Sequence, residues 1–292
     1  MASNKSDSKG VKKMVLTAGA LIGTVTLLSH GILQAAASTE YEKAVAIPAA
    51  YANGQEAIVQ SLLPEGYQQA NYAVGDIDLE YYQNQQPTSK DMTKEEAAEI
   101  GVRALWNLFG VDMEGQLVEM GYQPATESAP RSSWHADVMI DGELSYSFSV
   151  DSVTGELLQI ARAGRTLDEH VSVAFDAELD RNPQEFIKIA RELAEKHQVV
   201  QGEIVSVAYN GQGYSNNDPS ISFDIIGEND QIALMTLSRH DKALLGISYP
   251  AAYKAVREYN EKLLERVQKK VEELEQTAPQ EENEAPVLRV IE

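Results

Sequence analysis

The chain has no cysteine and few basic residues. Its 292 residues include 24 lysines and arginines against 45 aspartates and glutamates, a formal net charge of −21 at pH 7. The absence of cysteine excludes disulfides, thiolate catalysis and cysteine-ligated zinc or iron–sulfur sites. The acidic balance argues against a phosphate-binding surface, so we do not expect nucleic acid as a partner. Apolar residues make up 43% of the chain, which is enough to bury a core and excludes wholesale disorder.

Catalytic signatures are also missing. The sequence contains no Gly-x-Ser-x-Gly, no His-Glu-x-x-His, no P-loop and no dinucleotide fingerprint. Acidic pairs such as Glu95-Glu96 and Glu272-Glu273 are typical of solvated helix faces. No two of the five histidines have the spacing of metal ligands on one helix; they are His30, His135, His170, His197 and His240. The sequence therefore predicts no catalytic residue, no metal site, no cofactor and no enzyme activity.

A glycine pair, Gly211 and Gly213, precedes a run of oxygen-bearing side chains from Ser215 to Asp218. Such side chains could hold calcium, but the spacing of an EF-hand loop is missing. The pair also lacks the third glycine and the following helix of a dinucleotide site. We interpret this segment as the turn between two strands.

The N-terminus carries an export signature. Four lysines and one aspartate lie within residues 1–13, and an uncharged stretch follows from Met14 to Ala37. A basic flank, an apolar core and an Ala-x-Ala end are typical of an export signal. As a helix, residues 14–37 would span about 36 Å, which is enough to cross a bilayer.

Two alternatives remain for this signature: an uncleaved single-pass anchor, or a signal that is cleaved after Ala37 to release a secreted protein. Both leave the N-terminus in the cytoplasm and place the bulk of the chain outside it. A buried helix of a soluble domain fits the lysine cluster poorly. The lack of cysteine suits an exported protein of a Gram-positive bacterium, in which disulfides are often absent.

The sequence also contains a repeat. The spacing of apolar residues predicts a helix over 93–109, with Thr93 as its cap and Glu96 completing a capping box. A second helix is predicted over 182–197, with Asn182 as its cap and Pro183 at its first position. The starts of these helices differ by 89 residues.

Alternating strand patterns follow each helix at one constant offset of 87 residues. One constant offset across four elements predicts a duplication, and we expect an α+β fold of two tandem α-β-β-β units, each with a helix across a short antiparallel sheet. Trp134 matches Ile221 and is therefore expected in the core. The other matched segments are Leu117–Tyr122 with Ile204–Tyr209, Phe148–Val150 with Met235–Leu237, and Leu157–Ile160 with Leu244–Ile247.

The last two strands of the first unit are joined by Asp151–Glu156, a turn in which Gly155 is expected at positive φ. The second unit has Arg239–Lys242 there, without glycine. The run Phe-Ser-Val-Asp-Ser-Val-Thr-Gly-Glu-Leu-Leu resembles the PepSY superfamily. The resemblance covers residues 93–162 well and 182–249 less well, because the second unit has lost the Asp-x-x-Thr-Gly turn.

PepSY modules occur in propeptides of secreted metalloproteases and in membrane-anchored bacterial proteins. Tandem modules behind one membrane segment are also similar in layout to the accessory proteins of spore-cortex lytic enzymes. The resemblance implies a non-catalytic role: holding, inhibiting or chaperoning a hydrolase, or binding the envelope.

The remaining segments carry weaker signals. Residues 38–92 are interpreted as a spacer with some structure, or as a tyrosine-rich binding surface; within it we expect a helix at 54–63, a strand at 77–81 and a linker at 83–87. An acidic tail follows Thr277, and its strand-like run at 287–291 could add to a sheet edge.

Residues 251–276 predict one long helix. It carries an apolar stripe of Val256, Tyr259, Leu263, Val267, Val271 and Leu274. Such a stripe packs either on the second unit or against a partner helix, including that of a second copy.

The predicted domains are therefore a signal or anchor at 1–37, a spacer at 38–92, PepSY-like units at 93–165 and 180–250, a helix at 251–276 and an acidic tail at 277–292. The sequence favours a non-catalytic, exported and membrane-associated protein that binds and regulates an envelope protein, such as a secreted protease or a cell-wall hydrolase. A sheet edge or sheet face would occupy the cleft of that partner. The alternative is an envelope scaffold that dimerises through 251–276, and a hydrolase without a recognisable motif is the weakest reading.

Overall fold

The computed structural model describes residues 66–126 and 129–277. The predictions for 1–37, for the helix at 54–63 and for the tail beyond Thr277 lie outside the described residues. Within these residues, no helix combines the length and the apolar character that a membrane crossing requires. The helices are α1 (Glu80–Gln83), α2 (Lys94–Phe109), α3 (Ala177–Arg181), α4 (Gln184–Lys196) and α5 (Pro250–Thr277). The strands are β1 (Ala73–Asp76), β2 (Leu117–Gln123), β3 (Ser133–Ile140), β4 (Glu143–Asp151), β5 (Leu157–Arg162), β6 (Ile204–Ser215), β7 (Asp218–Gly227), β8 (Ile232–Ser238) and β9 (Leu244–Ser248).

All nine strands form one sheet with the order β1-β2-β3-β4-β5-β9-β8-β7-β6. Only β1 and β2 are parallel, and every other neighbouring pair is antiparallel. The predicted α+β class is therefore confirmed. The strands of each unit stay together in the sheet, and the two units meet where β5 pairs with β9.

The seam between β5 and β9 is symmetric. Ile160 lies opposite Ile247, and these residues differ by the repeat offset of 87. The flanking pairs are Gln159 with Ser248 and Ala161 with Gly246, so exchanging the two strands reproduces the same register. A local twofold axis therefore passes through this residue pair, perpendicular to the sheet.

Each unit contains a helix followed by four strands, so the expected α-β-β-β order is wrong by one strand. The four matched segments of each unit form four separate strands. A tight turn between the second and the third of them makes this part of the unit a hairpin. In the first unit this turn contains Asp141 and Gly142, with φ of 52° and 82°. In the second unit Asn229 and Asp230 adopt φ of 57° and 58° at the equivalent place.

The core lies under α2 and α4, which cover the same face of the sheet. Residues directly opposite each other in an antiparallel pair share a face, so Ile160 and Ile247 belong to one continuous apolar layer. Trp134 is buried in this layer, as expected, and its indole N–H donates to the carbonyl of Met92 at 2.9 Å. The opposite face carries α1, whose Tyr82 packs on Gly121, and the start of α5.

Helix α2 begins as the sequence predicts. The side chain of Thr93 accepts from the backbone N–H of Glu96, and the Glu96 carboxylate accepts from the backbone N–H of Thr93. The predicted start of the second helix is wrong by one residue. Asn182 ends the short helix α3, and Pro183 takes the N-cap position of α4 without a side-chain bond.

The predicted strand at 77–81 is also wrong. The strand lies earlier, at Ala73–Asp76, where it pairs in parallel with β2, and the chain then turns into α1. The helical turn places Tyr82 over Gly121, where a Cβ atom would lie only 2.5 Å from the tyrosine ring. The described part of the predicted spacer thus packs on the first unit.

The glycines at 211 and 213 lie inside β6, which corrects their interpretation as a turn. A register irregularity between Tyr209 and Gly211 explains the first glycine, because strand glycines often mark bulges. The turn itself is formed by Asn216 and Asn217, and Asn216 has a φ of 51°. The side-chain amide of Asn217 bonds both the N–H and the carbonyl of Leu167, which fastens the linker between the units to this turn.

Candidate functional site

The Asp151–Glu156 turn is closed by a buried carboxylate. One oxygen of Asp151, Oδ1, accepts from the backbone N–H groups of Val153 and Thr154 at 2.9 and 2.8 Å. The other, Oδ2, lies 3.1 Å from Nη1 of Arg131. Gly155 has the expected positive φ of 73°. The residues that carry the PepSY resemblance therefore build a turn.

Asp91 ties the segment before α2 to this turn. Its Oδ1 accepts from the hydroxyls of Ser132 and Ser152, and its Oδ2 accepts from Thr88 and Tyr122. Burial on its own would raise the pKa of Asp91, but the hydrogen bonds from Ser152, Thr88 and Ser132 outweigh burial and lower it below its ordinary value.

This lowered pKa predicts an acid-dependent stability. A carboxylate with a depressed folded-state pKa stabilises the fold above its unfolded value of about 4, and this contribution disappears as the pH falls through the folded value. We expect Asp91→Asn to lower the melting temperature most near pH 7, and the difference from wild type to shrink at about pH 3. Thermal unfolding of both proteins across this range tests the expectation. A difference that is independent of pH would contradict it.

The second unit has a different ion pair in place of the buried Arg131–Asp151 pair. At the repeat offset of 87, Arg131 and Asp151 correspond to Asp218 and Ser238. The hydroxyl of Ser238 donates to Asp218 Oδ1 at 2.6 Å. The cation comes instead from Arg165 of the linker, whose Nε lies 3.0 Å from Asp218 Oδ2 and whose Nη2 lies 2.7 Å from Asp241. This exchange explains why the second unit closes its turn without the Asp-x-x-Thr-Gly pattern.

The four histidines of the described residues have different surroundings. His135 stacks beneath Tyr82 with ring planes 7° apart, and His240 lies 3.1 Å from Glu169. His197 ends α4, and burial, with a smaller contribution from Lys196, lowers its pKa. His170 lies in the linker between the units, and His30 lies outside the described residues. Across 66–126 and 129–277, no three or more histidine, aspartate or glutamate side chains are grouped so as to hold a metal ion.

The two edges of the sheet differ strongly. At one edge, β1 has only four residues, and its terminal Asp76 pairs with Lys94 at 2.6 Å. At the other edge, β6 has twelve residues. Its outer side pairs with no strand in the described part of the chain. Short length and charge normally protect an edge against pairing with another chain, and β1 has both.

Strand β6 lacks these protections. Its sequence, Ile-Val-Ser-Val-Ala-Tyr-Asn-Gly-Gln-Gly-Tyr-Ser, contains no charged residue and no proline, in a chain in which 24% of residues are charged. Val205 and Tyr214 expose 65% and 56% of their surface. Two register irregularities interrupt the strand, at its start and after Tyr209, and the carbonyl of Ile204 at its start accepts from Arg191 at 3.0 Å. The outer side of β6, here called the β6 edge, is therefore a candidate site for strand addition.

Side-chain hydrogen bonds to α3, to the residue before α3 and to Arg239 hold this edge in place. The hydroxyl of Tyr209 donates to Asp180 of α3 at 2.9 Å. The side chain of Gln212 donates to the carbonyl of Asp176 and accepts from its N–H, and Arg239 donates to the same Gln212 oxygen at 2.8 Å. The edge is thus preformed, which lowers the entropy cost of binding an extended segment.

The beginning of helix α5 is held against the sheet. Tyr253 is buried, and its hydroxyl donates to Asp224 at 2.7 Å and accepts from Asn210 at 3.1 Å. Burial, followed by the bond to Asp224, raises the pKa of Tyr253. Packing on the second unit is one of the two arrangements that the sequence leaves open for α5, and the start of the helix shows it. Leu263, Val267 and Val271 expose 43%, 45% and 38% of their surface.

No family model and no curated protein matches the chain. Among solved structures, the C-terminal domain of Bacillus megaterium YpeB is similar, with a TM-score of 0.33 and 12% sequence identity. The match covers 56% of this chain and 65% of that structure, so the chain spans just under two thirds of its length. A similarity at this level assigns neither family nor function to the chain.

The sequence predicts that a sheet edge or a sheet face binds the partner, but it does not locate the β6 edge. The signal was present as a twelve-residue run without charge or proline from Ile204 to Ser215. The glycines within it were interpreted as a turn, which divided the run and concealed its length.

Proposed function

We propose that the chain is a non-catalytic, exported protein that binds an extended segment of another envelope protein along the β6 edge. The observation that carries this proposal is the length of an uncharged strand at one edge of the sheet. Main-chain hydrogen bonds to such an edge supply affinity, and the exposed side chains of Val205 and Tyr214 add apolar contacts.

Charge limits the chemistry of the partner segment. The chain carries a net charge of −21, so its field repels acidic segments and attracts basic ones. The strand itself is uncharged, and a charged side chain pressed against it would lose solvation without gaining an ion pair. We therefore propose a segment with an uncharged centre and basic flanks.

The PepSY resemblance supports a hydrolase as this partner, either a secreted protease or a cell-wall hydrolase. Residues 14–37 would hold the protein in the membrane, or direct its secretion, and so place the β6 edge outside the cytoplasm. Strand addition at or beside the cleft of the hydrolase would control its activity or its stability.

A matched pair of variants tests this function. Val205→Lys adds a charge to the β6 edge, and Leu79→Lys adds the same charge to a similarly exposed apolar residue beside β2. Tagged full-length protein is cross-linked in its own cells, captured partners are identified by mass spectrometry, and any hydrolase found is purified for binding and activity measurements. We expect Val205→Lys to weaken binding at least about tenfold and Leu79→Lys to leave it unchanged.

Equal binding by the two variants would remove the β6 edge from the interface. Recovery of only the protein itself or of wall polymer would overturn the regulatory function. The scaffold function would then take its place, and it is supported by a separate observation, the exposed apolar stripe of α5.

A further inference from the structure

The second half of α5 lies on the surface. Every residue from Glu261 to Val271 is exposed, which corresponds to about three helical turns. A helical segment of this length is marginal in water unless an amphipathic face is packed. The exposed segment therefore calls for a packing partner.

Its apolar residues have the spacing of a coiled-coil seam. Leu264, Val267 and Val271 are separated by three and four residues, which corresponds to positions a, d and a of a heptad. Leu263 lies beside the first of these positions. These four residues, called the α5 stripe, are all among the exposed large apolar side chains of the described residues.

Charge identifies a second copy of the chain as the partner. Helix α5 contains six basic and six acidic residues, so it is electrically neutral within a chain of net charge −21. Two copies repel one another over most of their surface, but they can approach along this helix without that penalty. An acidic or a basic partner helix would gain nothing from a neutral surface.

We propose that α5 pairs with α5 of a second copy as a parallel two-stranded coiled coil along the α5 stripe. In the parallel arrangement Leu264, Val267 and Val271 each face their own counterpart. In an antiparallel pair that uses the same residues, position g of one helix lies beside position g of the other. Lys270 occupies position g, so it would lie opposite Lys270 of the second copy and add a like-charge contact. Parallel pairing avoids that contact.

The pairing places two β6 edges in one assembly. If the proposed function holds, the dimer binds two extended segments, or two sites of one partner, with the avidity of a bivalent binder. The coiled-coil proposal depends only on α5, and strand addition depends only on the β6 edge. An experiment can therefore contradict either proposal and leave the other intact.

The absence of cysteine gives a direct test with single-cysteine variants of the full-length protein. Leu264→Cys places one thiol in the seam, and Glu265→Cys places one at position b, on the outside of the pair. We expect mild oxidation to link Leu264→Cys into a covalent dimer at least about tenfold faster than Glu265→Cys. Equal rates, or the absence of linked dimer in both, would overturn the proposal.

Charged substitutions, added to a single-cysteine variant, distinguish pairing along the seam from cross-linking by random encounter. In the Val271→Cys protein, adding Leu264→Glu and Val267→Glu is expected to reduce cross-linking about tenfold or more, because each helix then brings two charges into the seam. The matched background, Leu79→Glu with Phe175→Glu, adds the same charge at exposed apolar residues outside the α5 stripe and the β6 edge, and it is expected to leave cross-linking unchanged. Equal effects of the two backgrounds would also overturn the pairing.

Discussion

Gly101→Ala is expected to destabilise the protein by about 3 kcal/mol, although alanine is the better helix former. A Cβ atom at this position of α2 would lie 2.1 Å from two ring carbons of Phe148. The ring is fully buried, so neither it nor the helix can move without disturbing the core. Overpacking of this kind costs more than the roughly 1 kcal/mol gained by replacing a helical glycine. Urea unfolding measures the difference.

A double-mutant cycle supplies the control. Phe148→Leu shortens the side chain that a Cβ at Gly101 would meet. In that background, Gly101→Ala is expected to be neutral or stabilising, because the overlap is gone and the helix propensity remains. A cost that is the same in both backgrounds would show that the close approach of α2 to β4 does not require glycine.

Asp151→Ala is expected to cost about 3 to 5 kcal/mol of stability. The carboxylate is fully buried, and it satisfies the N–H groups of Val153 and Thr154 as well as the guanidinium of Arg131. Alanine would leave all three donors without this acceptor, and unsatisfied buried donors account for most of such losses. Chemical denaturation gives the free energy of unfolding.

Glu156→Ala is the matched control, because Glu156 lies 2.7 Å from the same Arg131 but is exposed. Its removal is expected to change stability by no more than about 1 kcal/mol, as is usual for exposed ion pairs. If both variants lose a similar amount, the turn is held by the arginine network as a whole and not by the buried carboxylate.

The repeat offset predicted much of each unit correctly. The helix at 93–109, the closing turn at Asp151–Glu156 and the long helix at 251–276 were all readable, because each depends on local spacing and capping. The joining of β5 to β9 was not readable. Alternation shows which residues of a strand share a face, but it does not show which strand edges will pair.

The errors before α2 and within β6 have specific physical causes. Apolar residues alternate through Ile77, Leu79 and Tyr81, but Leu79 is 56% exposed. Tyr82 is buried instead, because Gly121 leaves space for its ring on the sheet. In β6, Gly211 has the residue type of a turn, but it follows a register irregularity inside the strand. Both errors arise where a distant contact overrides a local signal, and the second concealed the candidate site.

The seam between β5 and β9 also determines what one unit would be on its own. A unit ending at β5 would expose the edge of that strand. The register around Ile160 and Ile247 is unchanged when the two strands exchange places. Two separate copies of such a unit would therefore pair through the same contacts that now join the two halves. The molecule has the form of a homodimer fused into a single chain, with residues 163–176 as the tether. Fusion frees each half to diverge, which is what the exchanged charges at Arg131 and Asp218 display.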